Sequence, residues 1–227
     1  MIKKFEIFLE SEKTEPKSAK KQPTIVFTDV VKSSELWAKD PKLMSKRLDK
    51  HFQLVDKCSK NWGGYIVKTI GDAFMLYFDS SDNSLLDAIN CSIDIINDEE
   101  LDLRIGICYG KIDLIKEYVI QDAKLKDFYG NSVNTASRLE SKVCDGPGCI
   151  SFSNTNELTQ KQSADILDAL KNYELTKIKY SDDCSTDNEN VGKRSGRLLT
   201  NIDIEECRNI QELKGIKELV VYKFYVE

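Results

Sequence analysis

The sequence predicts an α+β sandwich, with helices packed on one face of a mostly antiparallel sheet. Three observations carry that prediction. Strand-like and helix-like hydrophobic patterns alternate along the chain in the order strand–helix–strand–strand–helix–strand. The two adjacent strands in the middle are joined by the tight turn Ile70-Gly71-Asp72, which makes them an antiparallel hairpin. A chain of 227 residues with 41% hydrophobic and 31% charged side chains also has the length and composition for an ordinary globular core.

Each element follows from its own residues. Thr24 to Thr28 is a β-branched and aromatic run that reads as a buried strand ending at Asp29. Ser33-Ser34-Glu35 reads as a helix start. Met44, Leu48, Phe52, Val55 and Ser59 recur at helical spacing, which carries a second helix to about Trp62. Gly63-Gly64 break it, and Tyr65 to Thr69 and Ala73 to Phe78 form the hairpin. Leu85, Ile89, Ile93 and Ile96 mark another amphipathic helix, and Leu103 to Cys108 another strand. Gly130-Asn131 open a helix over Ser132 to Lys142, Cys149 to Ser153 is a strand, and Glu218 to Val226 closes the chain as one more. Residues 111 to 126 are charged and give no clear pattern, while residues 181 to 196 have almost no apolar content and read as a mobile loop.

The bulk properties narrow the function. A net charge of −5 argues against a nucleic-acid binder working by bulk attraction to phosphate. The seven cysteines are scattered, odd in number and never spaced as CxxC, so neither a disulfide framework nor a zinc site is expected. The first ten residues have charges inside a short apolar run, unlike a signal peptide, and no stretch is apolar enough to span a bilayer. A cytoplasmic location is the expectation. Residues 1–23, lysine-rich and ending at Pro23, read as an N-terminal segment tethering a main domain over 24–227.

Asp29 and Asp72 are the first candidates for chemistry. If their strands are neighbours, both carboxylates project from the same end of the sheet, and hard oxygen ligands that leave room for substrate phosphates suit magnesium. Aspartate is also common in turns and at strand ends, so either one alone has a structural reading. The segment Val30-Val31-Lys32-Ser33-Ser34 then enters a helix, whose free N–H groups can seat a phosphate; Ser33-Ser34-Glu35 is equally an ordinary N-cap. Asn134 and Arg138 stand four apart on a predicted helix, where arginine often ion-pairs and asparagine often caps. His51, the only histidine, lies in a helical stretch and reads as structural, which leaves no histidine-based triad.

These residues sit inside longer blocks. Phe27-Thr28-Asp29-Val30-Val31-Lys32-Ser33-Ser34-Glu35-Leu36-Trp37 resembles the first metal motif of the class III nucleotidyl cyclase family. Gly63-Gly64-Tyr65-Ile66-Val67-Lys68-Thr69-Ile70-Gly71-Asp72-Ala73-Phe74-Met75 resembles its second. Arg104-Ile105-Gly106-Ile107 and the run from Asp127-Phe128-Tyr129-Gly130 to Arg138-Leu139-Glu140 are similar to its third and fourth blocks. The blocks fall in order over residues 24 to 153, and Leu213-Lys214-Gly215 before an apolar strand extends the likeness. Lys32 stands where many relatives have glycine, and the stretch between Ile107 and Asp127 aligns poorly.

The resemblance implies a ferredoxin-like α/β sandwich and an adenylate cyclase making 3′,5′-cyclic AMP and pyrophosphate from ATP. It implies that Asp29 and Asp72, with the Val30 carbonyl, bind two Mg2+ or Mn2+ ions per site in a two-metal arrangement. Ser33 and Ser34 would meet the phosphates, Asn134 the ribose, and Arg138 the charge building on the α-phosphate. Lys214 would contact the terminal phosphates, with Lys217 close enough to compete. Lys68 and Asp127 would read the base: the carboxylate accepts from the adenine 6-amino group and the lysine donates to N1, whereas guanylyl cyclases carry glutamate and cysteine there. A lysine–carboxylate pair held for stability is the structural alternative. In the family the metal residues and the base and ribose residues reach one site from opposite subunits, so this chain, having both sets, is expected to form a homodimer with two shared sites. Alternatives are a cyclase for GTP or a pyrimidine triphosphate, a catalytically inactive nucleotide-binding partner, and, from the metal pair alone, a phosphohydrolase.

Overall fold

The computed structural model describes residues 22–79, 83–120, 123–154, 158–181, 206–209, 213, 216 and 218–226. The sequence readings for residues 1–21, for the loop from 182 to 196, and for Lys214 and Lys217 lie outside them.

Strand β1 (Thr24–Val30) is buried along almost its whole length, with only Asp29 half-buried near its end. Helix α1 (Ser33–Lys39) follows after Lys32. Helix α2 (Pro41–Asn61) begins where Asp40 accepts the Lys42 and Leu43 N–H groups and Pro41 sets the first turn. Strands β2 (Gly64–Ile70) and β3 (Ala73–Phe78) form the expected hairpin, then come α3 (Ser84–Asp98) and β4 (Leu103–Tyr109). Strands β5 (Leu114–Ile120) and β6 (Ala123–Tyr129) pair only with each other. Helix α4 (Asn131–Arg138) runs into a π-helical turn (Leu139–Val143), and the remaining elements are β7 (Cys149–Asn154), α5 (Gln160–Ala169), β8 (Thr176–Ser181), β9 (Glu206–Asn209) and β10 (Glu218–Tyr225).

The main sheet has the order β2-β3-β1-β4-β7-β10-β8-β9. Of its seven pairings only β4–β7 and β8–β9 are parallel, so the sheet is mostly antiparallel as expected. Helices cover both of its faces rather than one. Val26 and Val30 of β1 join a core with Met44 and Val55 of α2 and Ile89 of α3, while Ile25 and Phe27 pack with Val133 and Ala136 of α4. Near-continuous apolar strands such as Thr24-Ile25-Val26-Phe27 record that two-sided burial.

Three regions differ from the sequence reading. The unassigned stretch 111–126 is mostly hairpin: β5 and the start of β6 stand off the main sheet with Leu114, Tyr118 and Val119 exposed, so no buried face marks them in the pattern. The helix expected over Ser132 to Lys142 changes from α to π after Arg138. Helix α5 and strands β8 and β9 were not anticipated. Among the described residues Cys58, Cys91, Cys108, Cys144 and Cys149 are buried free thiols, and no helix is long and apolar enough to cross a membrane.

Candidate active site

Strands β1 and β3 are neighbours, with Thr28 opposite Phe74 and the Phe74 N–H donating to Thr28 Oγ1 at 3.2 Å. Asp29 is the next residue on β1, and Asp72 lies in the two-residue turn just before β3. The turn is possible because Gly71 takes φ 66, a left-handed value at the first central position, as a type II′ hairpin requires. Both carboxylates therefore leave the same end of the sheet from adjacent strands.

Their surroundings differ. Asp29 lies across β1–β4 from Arg104, whose Nη2 donates to Asp29 Oδ2 at 2.7 Å and whose Nε donates to the same oxygen at 3.2 Å. Arg104 Nε also lies 2.6 Å from Glu140 Oε1 in the π turn, so one guanidinium joins two carboxylates. Burial pushes the Glu140 carboxyl up to about 7, with Arg104 opposing the shift and Asp29 adding to it. Asp72 Oδ2 is buried and has no hydrogen-bond partner among the described residues. A buried carboxylate oxygen left unpaired is costly. The donor set fits a hard divalent cation, since two carboxylates leave coordination positions open to water and phosphate oxygens. No third His, Cys, Asp or Glu completes a protein-only cage among the described residues.

Beyond Asp29, Val30 is buried and Lys32 holds φ 56, ψ 32, a left-handed conformation that glycine adopts freely and lysine does not. It is the N-cap residue of α1 and makes no side-chain cap bond. Ser33 and Ser34 open the helix, Ser33 half-buried and Ser34 exposed.

Lys68 and Asp127 are brought together within one chain. Lys68 Nζ donates to Asp127 Oδ1 at 2.9 Å and Oδ2 at 2.7 Å. A β-bulge makes this contact possible. Ile66 pairs with Leu76 and Lys68 with Met75, which leaves Val67 as the extra residue and turns Lys68 to the Met75 face of the sheet. Without it Lys68 would oppose Phe74, which packs in the core on the other side. Asp127 also accepts the Phe128 N–H and the Tyr129 hydroxyl. Burial opposes its ionisation, but these three donors hold its carboxyl below the usual range.

Asn134 and Arg138 lie on α4, whose start is fixed by the Asn131 N–H donating to Asp113 Oδ2 at 3.0 Å and by the Ser132 hydroxyl donating to the Lys111 carbonyl at 3.0 Å. Asn134 is exposed and sits inside the helix rather than at its cap, and Arg138 makes no ion pair among the described residues. The cap and the ion pair that the sequence left open as structural roles are thus not made there. No hydrogen bond or ion pair among the described residues joins Asp29 or Asp72 to Lys68, Asp127, Asn134 or Arg138. His51 is buried in the core, its Nδ1 2.6 Å from Glu99 Oε2. In the sequence Arg104 and Glu140 stand out only as members of their blocks, and nothing local marks their link to Asp29, which comes from the β1–β4 register.

The chain is similar to known proteins in sequence and in fold. An alignment 174 residues long, covering 58% of this chain and 12% of the relative, shows 28% identity to receptor-type adenylate cyclase A of Leishmania donovani. Another 153 residues long, covering 57% of this chain and 7% of the relative, shows 30% identity to an adenylate cyclase of Podospora anserina. The chain thus spans about a tenth of the length of these curated relatives. In structure it resembles the adenylyl cyclase CyaB from P. aeruginosa, with a TM-score of 0.59 and 17% identity over 91% of this chain and 94% of that one. It resembles equally the guanylate cyclase domain of RhGC from Catenaria anguillulae in complex with GTP, with a TM-score of 0.59 and 20% identity over 91% of this chain and 97% of that one. At these identities both likenesses speak for the fold alone. The model of the adenylate and guanylate cyclase catalytic domain matches residues 15–177, and the chain belongs to that family.

Proposed function

We propose that residues 24–227 form the catalytic domain of an adenylate cyclase that converts ATP to 3′,5′-cyclic AMP and pyrophosphate as a homodimer with two shared sites. The observation that carries the choice of ATP is the Lys68–Asp127 pair, because the fold resembles adenylyl and guanylyl cyclases equally. Adenine offers a 6-amino donor and an N1 acceptor, which an ionised Asp127 and a Lys68 ammonium match. Guanine offers the reverse at both positions, and a mispaired buried polar group costs on the order of 1–3 kcal/mol.

The remaining residues fit one in-line displacement, in which the ribose 3′-oxygen attacks the α-phosphorus and the bond to the β-phosphate oxygen breaks. Asp29 and Asp72, with the Val30 carbonyl, would hold two Mg2+ or Mn2+ ions, which when bound favour ionisation of the 3′-hydroxyl and carry charge on the triphosphate. Asn134 orients the ribose. Arg138, uncommitted to any carboxylate among the described residues, meets the charge that grows on the α-phosphate. Ser33 and Ser34 would meet the phosphates from the start of α1, and Lys214 or Lys217 would be the contact for the terminal ones.

The test is to incubate the purified chain with each of the four ribonucleoside triphosphates and manganese and to separate the products. Cyclic AMP and pyrophosphate in equal amounts are expected. Cyclic GMP or a cyclic pyrimidine nucleotide as the main product would reassign the base, and no cyclic nucleotide from any substrate would sink the enzyme reading.

A further inference from the structure

We propose that Tyr129, backed by Tyr118, is a positioning residue that keeps Asp127 aimed at the base when Lys68 turns away from it to bind the nucleotide. The inference rests on the reading of Lys68 and Asp127 as the base-selecting pair. An ionised carboxylate offers about four lone-pair positions. Here three donors fill them with four hydrogen bonds: Lys68 Nζ at 2.9 Å on Oδ1 and 2.7 Å on Oδ2, the Phe128 N–H at 2.9 Å on Oδ1, and the Tyr129 hydroxyl at 3.0 Å on Oδ2. No position is left for the amino group of a base. One of these hydrogen bonds must break before a purine can be read.

Lys68 is the donor that withdraws. Its ammonium rides on a flexible stem, and the ring N1 it must reach lies beside the amino group that Asp127 accepts. Once it turns, the Phe128 N–H still holds Oδ1, but a single hydrogen bond leaves the carboxylate free to rotate about its Cβ–Cγ bond. The Tyr129 hydroxyl holds the other oxygen and fixes the plane.

Tyr129 is itself held. Its hydroxyl lies 3.0 Å from that of Tyr118. With Tyr118 as donor in that pair, the single Tyr129 proton is committed to Asp127. The hairpin register explains the cluster, because Lys116 pairs with Asp127, Tyr118 with Leu125 and Leu114 with Tyr129, which puts these side chains on one face. Lys116 and Lys68 approach the Tyr129 ring to 5.5 Å and 5.9 Å, within cation–π range.

The test compares ATP and GTP cyclisation by the full chain and its Tyr129→Phe variant, which keeps the ring and loses the hydroxyl. Loss of one hydrogen bond predicts a fall of about three- to tenfold in kcat/KM for ATP relative to GTP. Most of it should come from a higher KM for ATP, with kcat nearly unchanged. Tyr118→Phe should shift the ratio the same way by less, and in an Asp127→Ala background Tyr129→Phe should add nothing. An unchanged ATP:GTP ratio in Tyr129→Phe overturns the proposal, as does a loss confined to kcat. Should Tyr129→Phe fail to fold by circular dichroism, Tyr118→Phe decides, an unchanged ratio again overturning it. A wild-type chain that cyclises nothing sinks the functional reading together with this one; a wild type that makes cyclic AMP beside an unchanged variant ratio sinks this one alone.

Discussion

Replacing Gly106 by alanine strikes at the contact that seats α4 on the sheet. A Cβ at this position of β4 would lie 2.2 Å from the Glu140 nitrogen, 2.3 Å from the Ala136 carbonyl oxygen and 2.8 Å from Glu140 Cα. All three atoms are backbone, so no rotamer change can relieve the clash. Ordinary Cβ contacts begin near 3.4 Å, so the end of α4 and the π turn must move by about 1 Å or β4 must bend. Overpacking of this kind costs about 1–3 kcal/mol, which for a chain of this size lowers Tm by about 3–10 °C. The same movement displaces Asn134, Arg138 and the Glu140–Arg104–Asp29 link, and a misplacement of about 1 Å can reduce turnover about 10²-fold. Calorimetry and a cyclic AMP assay on Gly106→Ala measure both effects. A variant with wild-type Tm and wild-type rate would falsify the account of how α4 is held.

Lys32→Gly should stabilise the protein by up to about 1 kcal/mol. The left-handed backbone costs lysine about 1–2 kcal/mol, of which the greater freedom of unfolded glycine takes back about 0.5–1; a lower urea midpoint in the variant would contradict the strain assigned to that turn. Asp72→Ala should abolish the manganese-induced rise in Tm without lowering the metal-free Tm, because the lost Oδ2 is buried and unpaired. A variant that keeps the metal-induced rise would remove Asp72 from the metal site. For Glu140, burial raises the carboxyl from 4.5 to about 7, so between those values the folded chain binds more protons than the unfolded one and stability falls as pH rises. Glu140→Gln should remove about 1–2 kcal/mol of that decline between pH 5 and 8, allowing for solvent screening; wild-type and variant stability curves that run parallel across this window would refute it.

Local sequence made the hairpin and Asp72 in its turn legible, because Gly71-Asp72 between two apolar runs can hardly be anything but a tight turn. The long helix Pro41–Asn61 was legible from Met44 onward by its helical spacing, with Gly63-Gly64 after its end, whereas its Asp40-Pro41 start was not read. What stayed hidden depends on contacts between distant residues. The bulge at Val67 leaves no mark in a run such as Tyr65-Ile66-Val67-Lys68-Thr69, yet it decides which face Lys68 takes. Arg104 shows its importance only when β1 and β4 are laid side by side. The β5 strand escaped because Leu114, Ile115, Tyr118 and Val119 are exposed beside lysines, so no buried period betrays it. Helices on both faces were missed although the near-continuous apolar run Thr24-Ile25-Val26-Phe27 is the mark that two-sided burial leaves in a sequence.

The shared site is tested most directly by mixing an Asp72→Ala chain with an Arg138→Ala chain, each inactive alone. A mixed dimer combines one intact aspartate pair with one intact Arg138 in a single site, and the account predicts that cyclic AMP formation returns to between a quarter and a half of the wild-type rate, on the order expected for one working site per mixed dimer. Mixed dimers that form, by size and by pull-down of a tagged chain, but stay inactive would contradict it.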